Sequence, residues 1–358
     1  MYKLIVMNLE SLFTPFQYKG LTLKNRFVMA PMTRAFATDG IPNSQITDYY
    51  SRRAAGQVGL ILTEGTVIDR PASKNLKDIP NFYGDEALAN WKEVANSVHA
   101  AGGAIAPQIW HVGNTPYAWQ PPGPFESPET MTVEDIDATI KAFAKAAKDA
   151  KILGFDALEL HGAHGYLIDQ FFWEGTNKRT DAFGGATIKD RSRFAVEVVK
   201  AVREAVGPDF VIILRISQWK QQDYTAKLAH TPQELEEWLV PLAEAGVDIF
   251  HGSQRRYWEL EFEGSDLNFA GWIKKVTGQP TITVGSVGLS GDFSSAFQGQ
   301  GSETTNIDEL LRRFDRGDFD LVAVGRSLLQ DPEWVQKVKN NRFEDVSAFD
   351  AASLGKLY

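Results

Sequence analysis

The stretch "FVMAPMTR", Phe27 to Arg34, decides what kind of α/β protein this chain is. An apolar run gives way to Pro31, Met32, Thr33 and Arg34, whereas the first strand of an open doubly wound sheet passes at once into a G-x-G-x-x-G turn. The spaced glycines of "GQGSET" (299 to 304) follow a polar loop instead of a strand and carry no such meaning. Runs of the same apolar kind recur outward from Phe27: "VGLILTE" (58 to 64), "AIAPQIW" (104 to 110), "DALELHG" (156 to 162), "FVIILRIS" (210 to 217), "VDIFHGS" (247 to 253), "PTITVGS" (280 to 286) and "DLVAVGR" (320 to 326). Between them lie amphipathic segments such as 85 to 102, 132 to 154 and 231 to 246, with apolar positions at helical spacing and caps of Asp, Ser or Thr at the start and Gly at the end. Strands apolar on both faces belong to a parallel sheet covered by helices, and eight strand–helix units over about 250 residues or more predict a single (β/α)8 barrel of the TIM type. The expected division is a short extension over 1–11 and one barrel domain over 12–358.

Composition narrows the partners. The chain has 358 residues, 43% of them hydrophobic, and a formal net charge of -9. That charge, with no long Lys/Arg cluster, argues against nucleic acid or an anionic membrane and points to small molecules. Cysteine is absent, which removes disulfides, thiolate metal sites and a cysteine nucleophile. No apolar run approaches the roughly 20 residues of a membrane-spanning helix, and the start shows no small-residue cleavage site. The expected compartment is the cytoplasm.

Barrel chemistry sits at the C-terminal ends of the strands, and polar residues collect there. Thr33 follows the first run, Glu64 and Gly65 the second, Gln108 and Trp110 end the third, and His161, His164 and Tyr166 follow the fourth. Arg215 ends the fifth, Gly285 and Ser286 the seventh, Gly325 and Arg326 the eighth. Singly, each has a plain structural role open to it: Thr33 in a turn, Gln108 as a satisfied interior amide, Arg215 as partner to a carboxylate such as Glu64, the glycines in tight βα turns. Jointly, so many polar groups are expensive to bury without a ligand. Gly-rich ends at the seventh and eighth strands are where barrels commonly bind phosphate. His161 and His164 lack a third ligand at recognisable spacing, with His111 and Glu64 on other strands, so no metal is expected. Two imidazoles can instead donate to one carbonyl oxygen while Tyr166 supplies a proton.

Taken together, "LFTPFQYKGLTLKNRFVMAPMTR" (12 to 34), "LTEGT" (62 to 66), "PQIWHVGN" (107 to 114), "HGAHGYLIDQFFWEGTNKRTDAFGG" (161 to 185), "LRIS" (214 to 217) and "VGRSLLQDP" (324 to 332) resemble the old yellow enzyme family of ene-reductases. The resemblance implies non-covalent FMN, a hydride from NADPH or NADH, and reduction of the C=C bond of α,β-unsaturated carbonyl or nitro compounds in a ping-pong cycle. It places Pro31, Met32, Thr33 and Gly65 at one edge of the flavin, Gln108 and Arg215 at its pyrimidine end, and Gly285, Ser286, Gly325 and Arg326 at its phosphate. It gives His161, His164 and Trp110 to the substrate and the protonating role to Tyr166, in a monomer or homodimer. Asn114 stands where family members often carry Arg, and the segment from Pro116 to Glu134, with Tyr117, Trp119 and several prolines, is short, so the pocket mouth is this chain's own. The absence of cysteine disfavours the related flavin barrels that carry an iron–sulfur domain. A flavin-free barrel acting on a phosphorylated metabolite and a non-catalytic flavin binder are the other readings, and both differ from an ene-reductase in flavin colour or its bleaching by nicotinamide.

Overall fold

The computed structural model describes residues 9–117, 121 and 123–358. Trp119, part of the expected pocket mouth, and the first residues of the expected extension lie outside the described residues. The first strands, β1 (Phe16–Tyr18) and β2 (Leu21–Leu23), form an antiparallel hairpin. The eight that follow are β3 (Phe27–Met29), β4 (Leu60–Val67), β5 (Ala104–Trp110), β6 (Ala157–His164), β7 (Val211–Lys220), β8 (Ile249–Ser253), β9 (Thr281–Val284) and β10 (Leu321–Val324), and they close into a barrel. Neighbours pair in parallel in chain order, and β10 returns to β3 through Val322 and Phe27.

Side chains that alternate inward, among them Val28, Leu60, Leu62, Ala106, Ala157 and Ile213, pack against one another and against Phe16, Leu21 and Leu23 of the hairpin. The hairpin therefore stoppers the N-terminal end of the barrel. Outward residues of the same strands, such as Leu158, Leu160, Ile212 and Leu214, join the larger core beneath the helices, which is why the strands read as continuously apolar. The helices are α1 (Ser44–Ala55), α2 (Asp85–Ala100), α3 (Val133–Leu153), α4 (Leu167–Phe172), α5 (Ile188–Arg191), α6 (Arg193–Val206), α7 (Pro232–Ala245), α8 (Phe269–Thr277), α9 (Phe293–Phe297), α10 (Asp308–Arg316), α11 (Arg326–Gln330) and α12 (Trp334–Lys339). In α6 the buried Phe194, Val198, Val202 and Val206 form one stripe at four-residue steps. Helix α3 starts with a reciprocal Thr132–Asp135 capping box and stops at left-handed Gly154.

Three strands run past their expected ends, β4, β6 and β7. β4 continues to Val67 with a register shift between Leu62 and Gly65, and the β6–β7 pairing shifts between Gly162 and His164 and resumes at His164 opposite Lys220. Bulges re-aim side chains at strand ends, and these two lie at Glu64 and at His164. Leu9 and Leu12 are buried in the main core, so the described part of the leading segment packs onto the barrel.

Candidate active site

The fourth barrel strand, β6, carries the densest part of the site. Past the bulge, His164 and Gly165 take successive left-handed conformations, with φ of 66° and 83°. A histidine reaches this region only when neighbours hold it there. Here the His164 N–H donates to Ser217 Oγ at 2.9 Å and the Gly165 N–H to Asp169 Oδ2 at 2.6 Å. Asp169 in turn accepts from Lys220 Nζ at 2.8 Å, an ion pair with both side chains fully buried. The turn so fixed brings the aromatic rings together. His161 lies 5.2 Å from His164 and 4.9 Å from Tyr166, centroid to centroid, both edge-on. Trp110 stacks on His161 at 5.8 Å and meets Tyr166 edge-on at 4.7 Å, while Trp219 stacks on the far side of His164 at 4.4 Å.

Both imidazoles are held neutral, their pKa values pushed well below the usual histidine value first by burial and then by the Arg215 guanidinium. His164 Nε2 is 2.8 Å from Ser253 Oγ, which also accepts from Arg215 Nη2 at 3.4 Å. Across the His164–Ser253 contact either group can donate, and in the tautomer in which the serine donates to Nε2 the proton of His164 is carried on Nδ1. Tyr166 is buried, and burial pushes its phenol up to about 12 against the lowering effect of a hydrogen bond from Gln221 Nε2, 2.9 Å away. Because Gln221 donates, the Tyr166 hydroxyl keeps its own proton for another acceptor.

Around the mouth the other expected residues sit at their strand ends, in different states. Thr33 is exposed, Pro31 buried and Met32 half-buried. A Cβ on Gly65 would lie 2.4 Å from Trp110 Cε3, so glycine is required there for the indole to lie flat on the strand. Glu64 is not the partner of Arg215. Its Oε2 accepts the backbone N–H groups of Arg34 and Ala35, each at 2.9 Å, and fixes the turn that carries Thr33. Its Oε1 is buried without a partner among the described residues, and burial foremost pushes the carboxyl up to about 7. Arg215 interacts electrostatically with Glu159 instead, and its Nε is buried with no partner among the described residues. Gln108 Nε2 donates to Glu159 Oε1 at 2.8 Å.

At the seventh and eighth strands, Gly285 has φ of 136°, and a Cβ there would lie 2.6 Å from the Gln254 carbonyl oxygen. Ser286, also left-handed with φ of 52°, has its hydroxyl within bonding distance of the carbonyls of Arg255 and Gly291, at 3.0 and 2.8 Å, with one proton to share between them. Gly325 precedes α11, whose first residue, Arg326, donates to the carbonyls of Asp292, at 2.8 Å, and Gly291. Burial foremost brings the Arg326 pKa down to about 10. His111, considered above as a ligand, is instead 2.6 Å from Glu126 through Nε2. Among the described residues no three His, Asp or Glu side chains gather closely enough to hold a metal.

The expected residues thus converge on one mouth. Sequence reasoning passed over Ser253, Gln221, Glu159, His251 and the Asp169–Lys220 pair. The first, third and fourth were open to discovery, since Ser253 and His251 alternate inward on one strand and Glu159 stands two residues before His161.

The donor-rich mouth, with the buried Arg215 Nε and Trp110 Nε1 unpartnered among the described residues, suits a planar ligand carrying polar edges. The model of the NADH:flavin oxidoreductase / NADH oxidase family matches residues 11–345. An NADH oxidase of Thermoanaerobacter brockii is 35% identical over 96% of this chain, which spans 53% of that relative, about half its length. An NADPH dehydrogenase of Bacillus licheniformis is 34% identical over 97% of this chain and 100% of its own. Morphinone reductase in complex with tetrahydroNAD superposes with a TM-score of 0.79 at 27% identity, covering 96% of this chain and 94% of the other. With a matching family model over nearly its whole length and a closed eight-stranded barrel, this chain belongs to the NADH:flavin oxidoreductase / NADH oxidase family.

Proposed function

We propose that this oxidoreductase is an FMN-dependent NAD(P)H ene-reductase that acts on α,β-unsaturated carbonyl or nitro compounds. The observation that carries the reading is the set of neutral His161 and His164 with protonated Tyr166, locked within ring-to-ring distances of 4.9 and 5.2 Å, beside a buried Arg215 whose Nε has no partner among the described residues. The residues fit a flavin: Arg215 and Gln108 toward its pyrimidine end, Thr33, Pro31, Met32 and Gly65 along an edge, and Gly285, Ser286, Gly325 and Arg326 toward its phosphate. The chemistry FMN supplies when bound is transfer of a hydride from NADPH or NADH to the β-carbon of the alkene.

This chain's own residues do the rest. His161 and His164 donate to the carbonyl or nitro oxygen, polarising the alkene and stabilising the negative charge that grows there. Both imidazoles stay neutral, so they act as hydrogen-bond donors without giving up a proton. Tyr166 delivers its proton to the α-carbon, and Gln221 stabilises the phenolate left behind. Trp110 and Trp219 flank the histidines and keep water from competing for the same oxygen. Arg215 holds a fixed positive charge where the electron-rich end of the cofactor would lie.

The test is direct. The purified protein should be yellow, release FMN on denaturation, bleach under anaerobic NADPH or NADH and recover colour with a cyclic enone. Colourless protein that takes up no FMN sinks the reading, and so does flavin that the nicotinamides do not reduce.

A further inference from the structure

Below the donor pair, the barrel holds a charge that this mechanism leaves unused. Glu159 lies on the inward face of β6, two residues before His161, and its side chain is fully buried. Deeper in the barrel the inward residues are apolar, as at Ala157 of the same strand and Val211 and Ile213 of β7. A carboxylate is expensive in such a place unless each oxygen is engaged. Both are: Oε1 accepts from Gln108 Nε2 at 2.8 Å and Oε2 lies 2.6 Å from Nδ1 of His251. His251 pairs in register with Arg215 across β7 and β8 and is itself fully buried. Burial foremost lowers its pKa even with Glu159 beside it. A neutral His251 donates from Nδ1 and leaves Nε2 bare, consistent with the absence of any partner for Nε2 among the described residues. Arg215 lies two residues beyond Ile213, the register partner of Glu159 on β7, and interacts with that carboxylate through space.

We propose that Glu159, held by Gln108 and His251, is a counter-charge to Arg215 that keeps the reduction potential of the bound flavin low. The inference rests on the flavin reading given above. Two-electron reduction places negative charge at the pyrimidine end of a flavin, where Arg215 favours it and Glu159 opposes it. With part of the guanidinium's field cancelled, the reduced cofactor is a stronger donor toward the alkene. Glu159 acts through Arg215 and Gln108 and is a positioning residue.

The experiment is an anaerobic, dye-linked redox titration of the FMN-loaded protein, alongside fluorimetric titration of the apoprotein with oxidised FMN. Glu159→Gln keeps the shape and can still bond Gln108 and His251, but removes the charge. It should favour reduced over oxidised flavin by tenfold or more, a positive shift of about 30 mV or more for a two-electron couple. Glu159→Asp, which keeps the charge, should stay near the parent. If Glu159→Gln does not fold, the pair Glu159→Gln with His251→Gln substitutes two bonded amides and carries the same expectation. A potential unchanged in the charge-free variant overturns the inference, as does a shift equally large in Glu159→Asp, which would make shape the cause. Parent protein that binds no FMN instead defeats the functional reading itself, and the inference with it.

Discussion

The two sides of the barrel mouth are built on different principles. On the β5–β7 side, side chains hold one another: five rings interlock from Trp110 to Trp219, and the buried Asp169–Lys220 pair pins the left-handed turn beneath them. On the β9–β10 side the backbone does the holding. Ser286 and Arg326 spend their donors on the carbonyls of Arg255, Gly291 and Asp292. The first side is set before any ligand arrives. The second is satisfied by its own chain, and an incoming phosphate has to compete with those carbonyls. Rigid stacking suits the place where a reacting carbon must be aimed to a fraction of an ångström, while exchangeable carbonyl bonds suit a place that only anchors.

The largest effect should follow from breaking the rigid side at its acid. Tyr166→Phe removes the proton donor and keeps the ring contacts, so enone-driven reoxidation should slow by about 100-fold or more, the usual scale for a lost general acid. Reduction by nicotinamide should stay within about twofold, because the ring contacts that set the binding geometry persist. Rapid-mixing of the separate half-reactions decides it, and equal slowing of both would take the proton-donor role from Tyr166.

Next comes the donor pair. His164→Ala should weaken binding of a para-substituted phenol, a mimic of the substrate oxygen, by about 1 to 3 kcal/mol. Titration of the long-wavelength charge-transfer band measures this, and parent-like affinity would leave His161 as the single anchor. On the anchoring side, Arg326→Gln should weaken FMN by about tenfold, the value of a charge-assisted bond already partly spent on carbonyls. Riboflavin, which has no phosphate, should bind both proteins alike, and an equal loss for the two ligands would move the phosphate away from Arg326.

The smallest effect concerns pH. Both histidines titrate well below the ordinary value and Tyr166 at about 12. Lowered histidine pKa values mean that both rings are already deprotonated above pH 6.5, and a raised tyrosine pKa means that its proton is still present at pH 9. Between about pH 8 and 9, above both the Glu64 carboxyl at about 7 and the phenol's own pKa, the affinity for para-nitrophenol should therefore stay flat. An inflection there would reveal another ionising group of the site.

Much of this was legible in the chain. The eight apolar runs became the eight barrel strands because strands buried on both faces need no alternation, and the mouth residues are found where a parallel barrel puts strand ends. The β1–β2 hairpin went unforeseen because each arm has only three residues, too few for periodicity to register. The bulge at His164 was hidden as well, since it is set by Ser217 and Asp169, which the sequence does not mark as neighbours. Glu64 offered itself as a partner for Arg215, yet two backbone N–H groups one strand away claim it first. The Glu159–His251 bond spans 92 positions, and within "DALELHG" a lone Glu reads as an interruption of a strand.

The hairpin plug has a consequence for the order of events. With Phe16, Leu21 and Leu23 packed against the inward residues of the strands, the N-terminal end of the barrel is closed among the described residues, and the side left for a ligand is the C-terminal mouth. Under the proposed flavin reading, donor and acceptor would share that side: a dinucleotide laid across the mouth would bar the alkene until it departed, and the electrons would be stored in the cofactor during the changeover.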